Sequence, residues 1–507
     1  MGVTQTLLTG LGLLLAHGVE VALILGVLFS RGRNPQSSIA WMLTIVFVPY
    51  LGAILFLLFG VNRVQRRRDE RTTALGAVAD DDRRLSPEQI AETSTWTERG
   101  RRAAAAIETL CRTRPTGRNR VEILHNTHRT LGLIEQAIGQ ARHHIHVEYY
   151  IWEADETGRR VRDLLIERAR SGVQVRFLYD SIGSLSLKSK FLRPMWEAGI
   201  EVRTFLPGQT FRERWSLNNR THRKIVVVDG TVGFTGGMNI GDEYLGLIKK
   251  IGRWRDTHLR LEGPVVLQLQ QVFREDWYFA TGSDLTQAAY FPTPPTFAAE
   301  AAAVPEEVTR PRTGEALCDS EHRGVAAQIV AGGPNMDPSP FHQVFFSAIN
   351  EAERCVYLTT GYFIPTDSLA MALAAAAIRG VRVHLLVPGR TPHLLKSTIW
   401  AGRSYYDKLL AAGCEIAEYE AGTMHAKTLM VDDLWSLVGS ANFDARSALL
   451  NFEVGCVLYG TGPAANLRRQ FELDLRGASP VTQTEREHLR PRHRIAENFS
   501  RLFAPIL

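Results

Sequence analysis

T-H-R-K-I-V-V-V-D-G-T-V-G-F-T-G-G-M-N, residues 221–239, is matched further along the chain by M-H-A-K-T-L-M-V-D-D-L-W-S-L-V-G-S-A-N, residues 424–442. Both obey one rule: His-x-Lys, four residues, Asp, six residues, then Gly-Gly/Ser-x-Asn, with the histidines 425 − 222 = 203 positions apart. In each copy the lysine opens a continuous apolar run, Ile225–Val228 and Thr428–Val431, that reads as a buried strand. Side chains alternate faces along a strand, so His222 and Lys224 point the same way, as do His425 and Lys427. An imidazole beside an ammonium disfavours the charge of both groups unless an anion stands before them. A neutral imidazole there can act as nucleophile while the lysine supplies fixed positive charge to non-bridging oxygens. Asn239 and Asn442 follow the glycine turns Gly236-Gly237 and Gly439-Ser440 and can add amide donors to the same anion. The spacing points to a phosphate.

Displacement at phosphorus needs a nucleophile on one side and a proton donor for the leaving oxygen on the other. Two copies related by a pseudo-twofold axis supply one histidine each. Every such histidine needs an acid on its other nitrogen. Asp229 and Asp432 complete the motif's catalytic signature, but they sit at the far end of the strand from the histidine and read as holding the turn. Asp256, in W-R-D-T-H, and Glu453, in N-F-E-V-G, fall in the strand after the asparagine, where a carboxylate can return to the histidine.

Around the motifs the pattern alternates strands and helices. Strands are expected at 144–151, 173–179, 200–205, 355–362, 381–387 and 414–419, with helices between them. Local phrases repeat as well: R-S-G-V-Q-V-R-F (170–177) against I-R-G-V-R-V-H-L (378–385), and E-A-G-I-E-V (197–202) against A-A-G-C-E-I (411–416). The expected fold is α/β: two half-domains of mixed sheet flanked by helices, 121–280 and 324–480, joined by a Pro/Ala-rich linker at 281–323. A tail, 481–507, carries Ile495, Phe499, Leu502 and Phe503 at helical spacing, a stripe whose commoner fate is packing on a core.

The N-terminal 62 residues hold two apolar stretches, Thr6–Phe29 and Ser38–Val61. Each is near the roughly 20 residues a bilayer-crossing helix needs, although the first carries His17 and Glu20 and the second Pro49. They read as a transmembrane hairpin. Five arginines (Arg63, Arg66, Arg67, Arg68, Arg71) follow it against two between the stretches, which puts the remainder on the cytoplasmic side. Residues 63–120 read as a juxtamembrane connector whose Arg99, Arg101 and Arg102 either approach headgroups or form a solvated helix face.

At 507 residues the chain exceeds one core, and its net charge of +6 favours anionic partners. Five scattered cysteines without a C-x-x-C pair argue against a disulfide framework and a cysteine zinc site. His143-His144-x-His146 invites a metal reading but fits a half-exposed strand better. No P-loop or G-x-G-x-x-G context is present, so nothing asks for a cofactor, nucleotide or metal.

With these residues in view the chain resembles the phospholipase D superfamily, whose hallmark is the duplicated His-x-Lys-x4-Asp motif. Within it the chain is similar to the bacterial cardiolipin synthases, through N-P-Q-S-S-I-A-W-M-L and V-P-Y-L-G-A-I-L-F-L-L-F-G in the second apolar stretch and R-S-Y-Y-D-K-L-L-A-A-G at 403–413. The resemblance implies a phosphatidyltransferase of the inner membrane working without metal or nucleotide. It implies that His222 attacks one phosphatidylglycerol to form a phosphatidyl-histidine. His425 protonates the departing glycerol and then serves as base on the hydroxyl of a second phosphatidylglycerol. Lys224, Lys427, Asn239 and Asn442 would hold the phosphate. Partners are phosphatidylglycerol and anionic membrane lipids, not nucleic acid; the oligomeric state stays open, a homo-oligomer included. The rival readings are a phospholipase D-type hydrolase with water as acceptor, and a silent membrane scaffold, which has no need of histidine beside lysine.

Overall fold

The computed structural model of the protein describes residues 18–28, 35–57, 85–94, 96–205, 220–298, 307–309, 317–336, 339–391 and 395–502. Two compact units emerge. The first belongs to the N-terminal segment and has helices at 18–28, Pro35–Phe47 and Pro49–Leu55, with Val27, Ile45 and Phe56 packed together. Val48 leaves helical geometry and Pro49 begins a new helix, so the second apolar stretch is divided where proline removes a backbone donor. Among the described residues no helix is long and apolar enough to cross a membrane. Much of the first stretch, 6–17, lies outside them.

The second unit is built on one mixed sheet. Its first half contributes Thr116–Leu124 (β1), His144–Tyr149 (β2), Gln174–Asp180 (β3), Glu201–Phe205 (β4), Lys224–Val228 (β5), Val232–Gly236 (β6) and His258–Glu262 (β7). The second half contributes Leu317–Gly332 (β8), Cys355–Thr359 (β9), Arg382–Pro388 (β10), Glu415–Tyr419 (β11), Thr428–Val431 (β12), Trp435–Gly439 (β13) and Glu453–Tyr459 (β14), and Ala478–Val481 (β15) adds an edge. The order is β15-β11-β10-β9-β12-β13-β14-β8-β1-β7-β6-β5-β2-β3-β4, with Glu307–Thr309 pairing on β8 as the sixteenth strand. Read outward from the antiparallel β1–β8 pair, the first seven strands on each side meet counterparts seven numbers away in the same order, and β15 lies beyond the match. The sheet is therefore palindromic, and the pseudo-twofold passes between β1 and β8. In each half the three outer strands (β2-β3-β4 and β9-β10-β11) run parallel, and the motif strand joins them antiparallel.

The element expectations agree closely with what forms. Helices occur at Glu156–Arg170, Ser189–Glu197, Pro340–Glu351 and Asp367–Ile378, started by side-chain caps where Asp155 and Thr366 stand. Several boundaries differ. The stretch expected as a linker ends early, because β8 begins at Leu317 and runs 16 residues. The expected connector already contains the helix Glu98–Cys111, whose Ala104 and Ile107 are buried in the second half's core, and the start of β1. Its arginines are engaged within the protein: Arg99 pairs with Asp432 and Glu353, Arg101 and Arg102 with Glu98. β2 is buried at every position rather than half-exposed. The C-terminal helix Pro491–Arg501 also departs from expectation. It docks through Glu497 and Ser500, with Glu497 held 2.7 Å from Arg486, while Ile495, Phe499 and Leu502 face outward; Phe503 lies outside the described residues.

Candidate active site

Both motif segments leave their own half before entering their strands. The His222 N–H donates to the Phe452 carbonyl at 2.8 Å, and Phe452 N–H returns to Arg220 O at 2.8 Å. Reciprocally, Thr423–Met424 pairs in parallel with Trp254–Arg255, and His425 N–H donates to Arg255 O at 2.8 Å. The acids follow this crossing. His222 Nδ1 lies 2.9 Å from Glu453 Oε2, and His425 Nδ1 lies 2.7 Å from Asp256 Oδ2. Each histidine is thus held by the carboxylate of the other half. A carboxylate accepts at Nδ1, which leaves Nε2 as the free nitrogen on each ring.

The acids are themselves fixed. Glu453 accepts from Ser440 Oγ, from Ser447 Oγ at 2.7 Å and from Asn451 Nδ2 at 3.4 Å. Asp256 accepts from Thr257 N–H at 2.8 Å and from the Trp254 indole at 3.2 Å. Gly237 is needed for this: a Cβ there would stand 2.0 Å from Asp256 Oδ1. Its counterpart, Ser440, donates to Glu453 instead. Lys224 donates to its own His222 carbonyl at 2.7 Å, and Lys427 likewise to His425 O.

All six groups are buried. Burial holds His222 down to about 4 and His425 to about 3, with Lys224 and Lys427 opposing the pull of the carboxylates. Burial also lowers Lys224 to about 7 and Lys427 to about 8. It works to raise the two acids, but the adjoining imidazoles and lysines hold Asp256 and Glu453 at about 2. Near neutral pH the site therefore holds two neutral imidazoles oriented by two carboxylates, beside two ammonium groups close to losing their protons. An arriving phosphodiester would stabilise those ammonium protons.

Asp229 and Asp432 are not brought into this cluster. Asp229 accepts the backbone N–H groups of Arg142, His143 and His144, and Asp432 those of Glu353, Arg354 and Cys355. Both have positive φ, 52° and 55°, which aspartate tolerates better than most residues. They tie the turn after each motif strand to the start of the neighbouring strand. Asn239 and Asn442 are buried, and Asn239 Oδ1 accepts the Ile151 N–H at 3.2 Å. The run His143-His144-x-His146 lies elsewhere: His146 stacks on Phe273 at 4.6 Å and bonds Gln270. Among the described residues no group of three potential ligands is placed to hold a metal. Sequence reasoning assigned no role to Tyr150, whose ring meets His222 edge-on at 4.9 Å, or to Trp254, 5.0 Å from His425. Only the W-R-D phrase carried the second.

A palindromic sheet with a histidine–lysine pair delivered from each half to one join defines a two-histidine enzyme of the phospholipase D type. The chain matches the family described as "Cardiolipin synthase, PLD-like domain" over residues 134–277 and 345–475, and "Phospholipase_D-nuclease N-terminal" over 21–60. It is 37% identical to cardiolipin synthase 1 of Bacillus cereus, over 95% of this chain and 91% of that one. It is 36% identical to the cardiolipin synthase of Geobacillus thermodenitrificans, over 96% and 92%. Among solved structures, phosphatidylserine synthase of Haemophilus influenzae superposes with a TM-score of 0.59 at 16% identity, covering 80% of this chain and all of that one, which is a likeness of fold. The chain belongs to the cardiolipin synthase family.

Proposed function

We propose that the protein joins two phosphatidylglycerol molecules into cardiolipin and releases glycerol. One observation carries the reading: two histidines, each oriented at Nδ1 by a buried carboxylate of the opposite half, keep Nε2 free and lie within electrostatic reach of both buried lysines. His222 Nε2 attacks phosphorus, the bond to the glycerol oxygen breaks, and His425, which takes up a proton at Nε2 once the phosphodiester anion is bound beside it, gives that proton to the oxygen. The terminal hydroxyl of a second phosphatidylglycerol then attacks, passing its proton to His425 as the P–N bond to His222 breaks. Lys224, Lys427 and the amides of Asn239 and Asn442 hold the non-bridging oxygens. The choice of His222 as nucleophile follows the family resemblance. One phosphodiester is exchanged for another, so the reaction is close to energy-neutral and needs no nucleotide.

The substrates are membrane lipids, and the apolar N-terminal segment is read as an inner-membrane hairpin with the catalytic unit on the cytoplasmic side; the arginine excess after it supports that orientation. The test supplies full-length protein with labelled phosphatidylglycerol in liposomes and follows cardiolipin and free glycerol. Phosphatidic acid as the sole product would replace this reading with the hydrolase. His222→Asn with wild-type turnover would overturn the nucleophile assignment.

A further inference from the structure

The internal repeat fixes which residues correspond. Asp229 N–H bonds His144 O and Asp432 N–H bonds Cys355 O, so position 144 matches 355. Tyr150 then matches Gly361, since 355 − 144 = 361 − 150 = 211. At this position the two sides of the site are unlike. The Tyr150 ring packs against His222, and the Lys224 ammonium lies 5.4 Å from its centre. On the other side there is no side chain. A Cβ at Gly361 would stand 3.1 Å from Lys427 Nζ, 3.2 Å from Asn442 Oδ1 and 3.2 Å from His425 Cα. Gly361 is not among the glycines with positive φ, so its backbone does not require glycine. The space does.

A second observation is independent of the first. Asn239 Oδ1 is satisfied by the Ile151 N–H. The equivalent donor in the second half, Tyr362 N–H, is turned instead to Thr360 Oγ1 at 3.4 Å, and that hydroxyl also takes Phe443 N–H at 3.0 Å. Asn442 Oδ1, in a side chain only 4% exposed, is consequently left without a hydrogen-bond partner among the described residues. A buried carbonyl oxygen in that state is destabilising unless a donor comes to it. Gly361 also borders a small recess that it shares with Tyr362, Pro388, Thr398 and Tyr406.

The geometry points to a hydroxyl-binding subsite at Gly361 and Asn442, on the His425 side, that accepts the secondary hydroxyl of a vicinal diol. This rests on the reading that His425 serves the departing and entering alcohol. The departing glycerol and the glycerol headgroup of the acceptor both carry a hydroxyl on the carbon next to the reacting one. That hydroxyl donates to Asn442 Oδ1 while the neighbouring oxygen faces His425, so one subsite serves both half-reactions. Water has no second hydroxyl and gains nothing from it, which favours transfer over hydrolysis.

The test gives full-length protein labelled phosphatidylglycerol in mixed micelles with equal concentrations of 1,2-propanediol or 1-propanol, and measures the phosphatidyl-alcohol formed. The wild type is expected to use the diol about tenfold better, the worth of one added hydrogen bond. Gly361→Ala, whose methyl group occupies the approach to Asn442 Oδ1, is expected to level the two alcohols and raise the share of phosphatidic acid. Equal use of both alcohols by the wild type overturns the subsite while leaving the transferase reading intact, and that measurement needs no variant to fold. A Gly361→Ala protein keeping the full diol preference overturns the role of Gly361. Phosphatidic acid alone, with no phosphatidyl-alcohol from the wild type, overturns the transferase reading itself.

Discussion

Glu453 reaches His222 with one oxygen while Ser447 and Asn451 occupy the other, so the carboxylate cannot turn away. Asp256 is held as firmly from the backbone of Thr257. Replacing either acid by its amide leaves the shape but offers the histidine an ambiguous partner, with the wrong tautomer as one outcome. Positioned acid–base groups contribute about 10²–10⁴-fold, and Glu453→Gln or Asp256→Asn is expected to lower kcat within that range with little change in KM, read by cardiolipin formation. The pH profile follows from the same residues. Raising pH frees the His222 lone pair as it passes about 4, so kcat/KM rises there. It falls again as Lys224 and Lys427 lose their protons near 7 and 8. A rate still climbing above pH 9 would break the assignment of both lysines to the phosphate.

At the scale of elements, most of the sheet was legible because buried parallel strands are continuous apolar runs between helices with regular caps. Residues 144–149, 174–180 and 382–388 show it. The central pair was not. β1 carries Arg118, Asn119 and Arg120 among its apolar residues, and β8 carries Asp319, Glu321, His322 and Arg323, because neighbouring strands neutralise them: Arg120 pairs with Glu321 and Glu262. Charges satisfied across strands look like loop in a one-dimensional reading. The C-terminal stripe misled for the converse reason, since the helix docks by an Arg486–Glu497 ion pair rather than by its apolar side.

Two predictions belong to elements. Asp432→Ala strands three backbone amides at the start of β9, so stability is expected to fall by about 1–3 kcal/mol in urea unfolding, a loss that Asp256→Asn does not share. β2 buries His144 and His146 in neutral form. Burial and the nearby His143 hold His144 at about 4. The unfolded chain takes up protons below about 6.5 where the folded one does not, so stability is full above that pH and lost as it falls towards 4. His144 alone is expected to contribute about 2 kcal/mol of loss between pH 7 and 5; His146→Gln should flatten the dependence further, and an unchanged urea midpoint would contradict it.

Across the whole molecule the repeat in the sequence announced two halves and one shared phosphate, and even named the acids. It did not reveal that each acid belongs to the opposite histidine. Spacing along the chain favours the nearer partner, and only the crossing of residues 220–223 and 423–425 into the other half reverses it. Fragments ending before and beginning after the 299–316 stretch should therefore each be inactive alone, and co-expression should restore cardiolipin formation. Activity in a lone half would contradict the crossed arrangement.

That crossing constrains how the chain can change over generations. A duplicated segment normally frees one copy to drift, since the other preserves the function. Here neither copy is spare: a substitution at Glu453 is felt at His222, and one at Asp256 at His425, so each half is under selection through its neighbour. The two can diverge only where they do not service each other, as Tyr150 and Gly361 have done. Ancestrally, the same geometry would suit two identical chains meeting across β1 and β8, each lending its acid to the other.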